Sequence, residues 1–168
     1  MQFKNYSAEK IKIDSVTSDL TFEERLLRQY LIRQIINNDR PVIVEKLKDA
    51  PEMAHIDIDK IILKLVDKRR IVLDEQGQII FVYPVSALPT HHKVTLQDGR
   101  KLNAMCGIDA MGVAFTLGQD TVIQSECSLC GQSVTVKITD GVLTMVEPES
   151  LHVLHVDLNK VDNWAGSC

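Results

Sequence analysis

The chain has 168 residues, a formal net charge of −4 and 45% apolar residues, only 5% of the total being aromatic. That is one domain or two small ones with an aliphatic core, and the acidic balance argues against broad nucleic-acid binding. There is no apolar run near 18 residues and no N-terminal apolar signal segment, so the sequence reads as a soluble, cytoplasmic protein. In that compartment its four cysteines are thiols, ligands or catalysts rather than structural disulfides.

Residues 1–20 are polar and irregular, with a weak alternation at Ile11 and Ile13, and read as an arm. Thr21 opens a helix, with Glu24 three residues on as the second half of a capping box. Phe22, Leu26, Leu27, Tyr30, Leu31, Ile35 and Ile36 form its apolar face, and the run Asn37 to Pro41 ends it. A short second helix or turn is expected over Val42–Leu47, broken by Asp49-Ala50-Pro51. A third helix is expected over Asp57–Lys68, with Ile58, Ile61, Ile62, Leu65 and Val66 inward. Two strand-like runs follow, Ile71–Leu73 and Ile79–Tyr83, around an acidic turn with Gly77.

Three helices and a hairpin is the order of a winged helix-turn-helix, spanning 21–84. Such a module can read DNA through its third helix or act as a purely structural unit. The third helix is mixed in charge, and the tip Asp74-Glu75-Gln76-Gly77 would repel phosphate, so the structural role is favoured. Pro84 to Lys93 is a Pro-containing connection and the expected boundary to a second unit, 85–168.

The second unit begins with the hairpin VTLQDGRKL, turning at Asp98-Gly99. A helix follows within Ala104–Leu117, ended at Leu117-Gly118. Ile108, Met111 and Phe115 fall on one apolar stripe of it. Cys106 and Asp109, three residues apart, are neighbours on another face. Cys106 would lie in the first turn, where the positive end of the helix favours a thiolate. A carboxylate in such an apolar run needs a partner or a task, although a lone Cys can equally be a small buried hydrophobe. Gly107 and Gly112 disfavour the helix by about 1 kcal/mol each, which makes sense if something packs closely there.

Strands are expected over Thr121–Gln124, Val134–Thr139, Val142–Val146 and Leu151–Leu158. Between the first two, Cys127-Ser-Leu-Cys130-Gly131 has the form of half a zinc ribbon. A zinc site, a redox dithiol and a plain tight turn are all open readings. His91, His92, His152 and His155 could supply further ligands, but on a strand the last two would point to opposite faces. The fold class is therefore α+β: a winged-helix-like helical module, then a small mixed or antiparallel sheet domain whose helix carries Cys106 and Asp109.

Taken together, Tyr83 to Gly131, with the hairpin of DGR-L type, the Cys106-x-x-Asp109 pair and SECSLCG, resembles the organomercurial (alkylmercury) lyases. The terminal NWAGSC resembles the run leading into their second essential Cys. The resemblance implies protonolysis of a carbon–mercury bond to a hydrocarbon and Hg(II). It implies Cys106 as the first mercury-binding thiol, Asp109 as the catalytic carboxylate and Cys168 as the second thiol. Cys127 corresponds to a structural Cys of the family, and Cys130 to one with no part in the chemistry. An organomercurial is the implied partner and external thiols remove Hg(II). No resident metal or nucleotide is required, a zinc ion at Cys127 and Cys130 being the one metal the spacing leaves open.

In the family the chain continues past the second thiol, whereas this sequence ends on it. That departure implies a shortened homologue or a truncated product, with an exposed apolar face or a homodimer contact where the pocket would close. Two other classes of function fit the same residues: a thiol-based metal-binding protein without turnover, and a winged-helix regulator sensing metal or redox state.

Overall fold

The computed structural model describes residues 18–153. Most of the expected arm, the end of the expected strand Leu151–Leu158, His155 and Cys168 lie outside the described residues. The first helix, α1 (Phe22–Asn38), starts as the sequence requires. The Thr21 hydroxyl accepts the Glu24 N–H, and the Glu24 carboxylate accepts the Thr21 N–H at 2.8 Å. Such a cap contributes about 1 kcal/mol. The buried stripe of α1 is Glu24, Leu27, Arg28, Leu31, Ile32 and Ile35. Phe22, expected inward, is 73% exposed, because at about 100° per residue it falls on the far side of that stripe.

The short α2 (Val44–Leu47) and a single 3-10 turn at Pro51–Met53 lead to α3 (Ile58–Asp67). Asp57 caps α3 by accepting the Lys60 N–H. Ile58, Ile61, Ile62 and Leu65 are buried as expected, whereas Val66 lies at the edge of the stripe and is exposed. The hairpin β1 (Ile71–Leu73) and β2 (Ile79–Val82) follows. At its tip Asp74 Oδ1 accepts the N–H groups of Gln76 and Gln78, so the acidic residue there builds the turn.

Among the described residues, eight strands form one antiparallel sheet in the order β1-β2-β3-β5-β4-β6-β7-β8. The segment read as a linker contains β3 (Val85–Ser86), which pairs with both β2 and β5 (Lys101–Ala104). The hairpin therefore continues directly into the second half of the chain. β4 (His92–Leu96) lies between β5 and β6 (Thr121–Glu126), and β7 (Ser133–Thr139) and β8 (Val142–Glu147) complete the sheet. Residues 151–153, the described start of the strand expected over Leu151–Leu158, have no strand structure.

Alternate residues of the central strands, among them Val94, Leu96, Leu102, Ile123, Val136 and Ile138, are buried in the core. Helix α4 (Gly107–Leu117) packs on β3 to β6. The edge strand β8 leaves Val142, Leu143 and Met145 exposed. Among the described residues no helix is long and apolar enough to cross a membrane.

Candidate active site

Strand β5 ends at Ala104, opposite Val85 on one side and His92 on the other. Two residues on, the chain turns into α4 through Cys106, whose backbone is extended at φ −143 and ψ 176. Cys106 is thus the N-cap and not a residue of the first turn. An extended residue with an acceptor side chain serves in that position, and here the acceptor is sulfur: Sγ takes the Asp109 N–H at 3.5 Å. The donor and the positive end of the helix both favour an anionic sulfur. Cys106 and Asp109 are both buried, at 9% and 6% exposure, and the cap hydrogen bond joins them.

The buried face of α4 is Asp109, Ala110, Val113 and Ala114. This corrects the expected stripe: Ile108 and Met111 are half-buried, and Phe115 is 66% exposed. Small side chains bring the helix close to the sheet, and the larger ones flank the contact. The carboxylate of Asp109 is carried inward on the closest face.

Gly112 shows how close the approach is. A Cβ there would sit 2.9 Å from the Tyr83 hydroxyl oxygen, tighter than any ordinary contact. Tyr83 is held from the other side by Arg28 of α1. The guanidinium lies 5.8 Å from the ring centroid, and its Nη2 donates to the Tyr83 carbonyl at 2.6 Å. Burial, followed by the negative charge of Asp109, pushes the Tyr83 phenol above its usual pKa, against the opposing pull of Arg28. Burial also lowers Arg28 to about 10. Tyr83 and Arg28 were not singled out by the sequence reading as site neighbours. The glycine at 112 was the signal, since it announced a close neighbour without naming it.

His92 stands on the other side of the turn. Its Nδ1 is 2.9 Å from the Ser125 hydroxyl oxygen, and its Cε1 lies 4.0 Å from where a Cβ on Gly107 would be. Burial, then the neighbouring His91, lower its pKa, which keeps the ring neutral at pH 7. One surface cleft of about 210 Å³, between α1, α2 and β2, has none of Cys106, Asp109 or Tyr83 in its lining.

Cys127 and Cys130 form a knuckle between β6 and β7, closed by Gly131 N–H donating to the Cys127 carbonyl at 2.8 Å. Neither is in a disulfide. Among the described residues no three His, Cys, Asp or Glu side chains converge on a metal position. His91 is instead paired with Glu126 at 3.5 Å, and the His152 ring contacts the Ser150 carbonyl. The knuckle thus supplies two donors of the four a zinc ribbon needs.

The family model of the alkylmercury lyases (MerB) matches residues 85–168, half of the chain. The chain belongs to the alkylmercury lyase family. It is 32% identical over 78 residues to an alkylmercury lyase of Staphylococcus epidermidis, covering 46% of this chain and 35% of that protein. An alkylmercury lyase of Bacillus cereus is 23% identical over 117 residues, 70% of this chain and 51% of the relative. The chain therefore spans about a third to a half of the curated alkylmercury lyases it matches. The crystal structure of the mercury-bound form of MerB2 shares the fold, with a TM-score of 0.59 at 22% identity over 80% of this chain and 65% of that one.

Proposed function

We propose that the protein cleaves carbon–mercury bonds by protonolysis, releasing a hydrocarbon and Hg(II). The observation that carries this reading is the Cys106–Asp109 turn, a buried sulfur capping a helix with a buried carboxylate one turn in, inside the segment matched by the family model. Its substrates would be small organomercurials. Hg(II) is soft and prefers thiolate to nitrogen or oxygen. The Cys106 thiolate displaces a weaker ligand from R–Hg–X. A second thiolate raises electron density on mercury, a role we assign to Cys168. The electron pair of the carbon–mercury bond leaves with carbon, which takes a proton from the Asp109 carboxyl group. A thiol losing its proton to Asp109 restores the carboxyl, and external thiols carry off the Hg(II).

The apolar surroundings favour organic groups and raise the cost of leaving charge unpaired. Tyr83 borders the carboxylate with its phenol kept protonated, and His92 borders the Gly107 end of the turn. The helices α1 to α3 with the β1–β2 hairpin are, in this reading, a winged-helix-like support. They act through Arg28 on Tyr83, not through nucleic acid, in a cytoplasmic enzyme. The exposed apolar residues of β8 are the surface we assign to a homodimer contact. The test is incubation with phenylmercury and excess thiol, followed by headspace analysis. Benzene formed over many turnovers supports the reading; intact phenylmercury after prolonged incubation overturns it.

A further inference from the structure

Cys127 and Cys130 have no part in the cleavage step, yet the fold brings both into one tight turn between β6 and β7. Its backbone is closed twice, by the Gly131 N–H donating to the Cys127 carbonyl at 2.8 Å and by the Cys127 N–H donating to the Gln132 carbonyl at 2.9 Å, which holds the two cysteines at the C-x-x-C spacing of a chelating pair. A thiolate is the form that binds a metal. Cys130 is exposed and Cys127 partly so, so both thiols of the turn can be reached from solvent. With no third donor converging on them among the described residues, the pair suits an ion that is satisfied by two sulfurs in a line. Mercury(II) is such an ion, whereas zinc requires four ligands.

The sheet places this pair beside the cleavage site. Strand β4 begins at His92, opposite Ala104 at the end of β5, and His92 is bonded to Ser125 near the end of β6. Cys106 follows Ala104 by two residues, and Cys127 follows Ser125 by two. Both cysteines therefore leave the sheet at the same end, on strands two spacings, about 10 Å, apart.

We infer that the Cys127–Cys130 knuckle is a two-thiolate holding site for the Hg(II) that cleavage releases. The inference rests on the proposed cleavage for the source of the ion, and on the knuckle alone for its capture. The two sites are too far apart for direct transfer between fixed sulfurs, so a small external monothiol carries the ion between them. The complex RS–Hg–SR exchanges with the two knuckle thiols: two mercury–sulfur bonds break, two form, and two thiol protons pass to the departing RS groups. Mercury stays Hg(II) throughout.

The test uses HgCl2 and the full chain carrying Cys106→Ser, so that cleavage plays no part in the measurement. After desalting in excess glutathione, this variant should retain one equivalent of mercury, because a chelating pair outcompetes two separate monothiols. Without glutathione, filling the knuckle should release up to two protons. Adding Cys127→Ser and Cys130→Ser should lose the retained equivalent, and so should Cys130→Ser alone, a change at an exposed residue that does not threaten folding. Retention by either of these variants, or none by the Cys106→Ser parent, overturns the inference. Retention by the Cys106→Ser chain, with no hydrocarbon formed from phenylmercury by the unsubstituted chain, would sink the cleavage reading and leave the holding site standing.

Discussion

Gly112→Ala tests the packing that puts α4 and Asp109 where they are. In an unobstructed helix interior the change would stabilise by about 1 kcal/mol through propensity. Here the new methyl would sit 2.9 Å from the Tyr83 hydroxyl oxygen. The tyrosine cannot easily yield, because Arg28 covers its ring and holds its carbonyl. Overpacking of this kind costs about 1–3 kcal/mol, so the net effect is between neutral and about 2 kcal/mol destabilising. Removing the hydroxyl changes the sign. In a Tyr83→Phe background the nearest atoms are the ring carbon at 3.5 Å and Pro84 Cβ at 3.6 Å, ordinary contacts, and the propensity gain of about 1 kcal/mol survives. Urea unfolding of the four proteins gives the coupling energy, expected at about 1–3 kcal/mol, and thermal midpoints should move by about 2–4 °C per kcal/mol at this size. Equal stabilisation by alanine in both backgrounds would show that Tyr83 does not confine the helix.

Three further outcomes follow from the same contacts. Cys106→Ser should abolish hydrocarbon release, read by gas chromatography, since serine oxygen is a poor ligand for a soft ion. Asp109→Asn should keep mercury bound after desalting while losing hydrocarbon formation by a factor of about 10² or more; wild-type turnover would remove Asp109 from the reaction. Glu24, 1% exposed and 2.7 Å from Lys68, provides the pH prediction. Burial pulls its pKa upward, but hydrogen bonds from Lys68 and the Thr21 N–H, with the charges of Lys68 and Lys64, outweigh it and hold it below the usual value. A depressed carboxyl stabilises the fold above its unfolded pKa, about 4.3, and loses that contribution as pH falls through the lower folded value. Glu24→Gln should flatten this part of the pH profile in urea unfolding; an unchanged profile refutes the assignment.

Local signals in the sequence were read correctly where local chemistry decides the structure. The Thr21–Glu24 box, the Asp98-Gly99 hairpin and the Gly118 stop each depend on residues within five positions of one another. The Cys106–Asp109 turn is of the same kind, which is why the centre of the candidate site was legible. What was hidden depends on distant partners. Ile108, Met111 and Phe115 have helical spacing, but the sheet accepts the face with Ala110 and Ala114 because only small side chains fit the narrow gap. The continuity of the sheet rests on β3, two residues long and preceded by Pro84, and its pairing with β5 across 18 residues of chain leaves no local trace. Arg28 reaches Tyr83 from 55 residues away, and its helical period marks it only as a polar residue within an apolar stripe.

The central claim is that carbon leaves mercury with a proton delivered at the Cys106–Asp109 turn. Its most direct test is a reaction of phenylmercury with the full chain in D2O with excess thiol, the benzene being analysed by mass spectrometry beside a Cys106→Ser control. The account predicts monodeuterated benzene from the full chain and none above background from the control. Benzene formed equally by both proteins, or by neither, would contradict it.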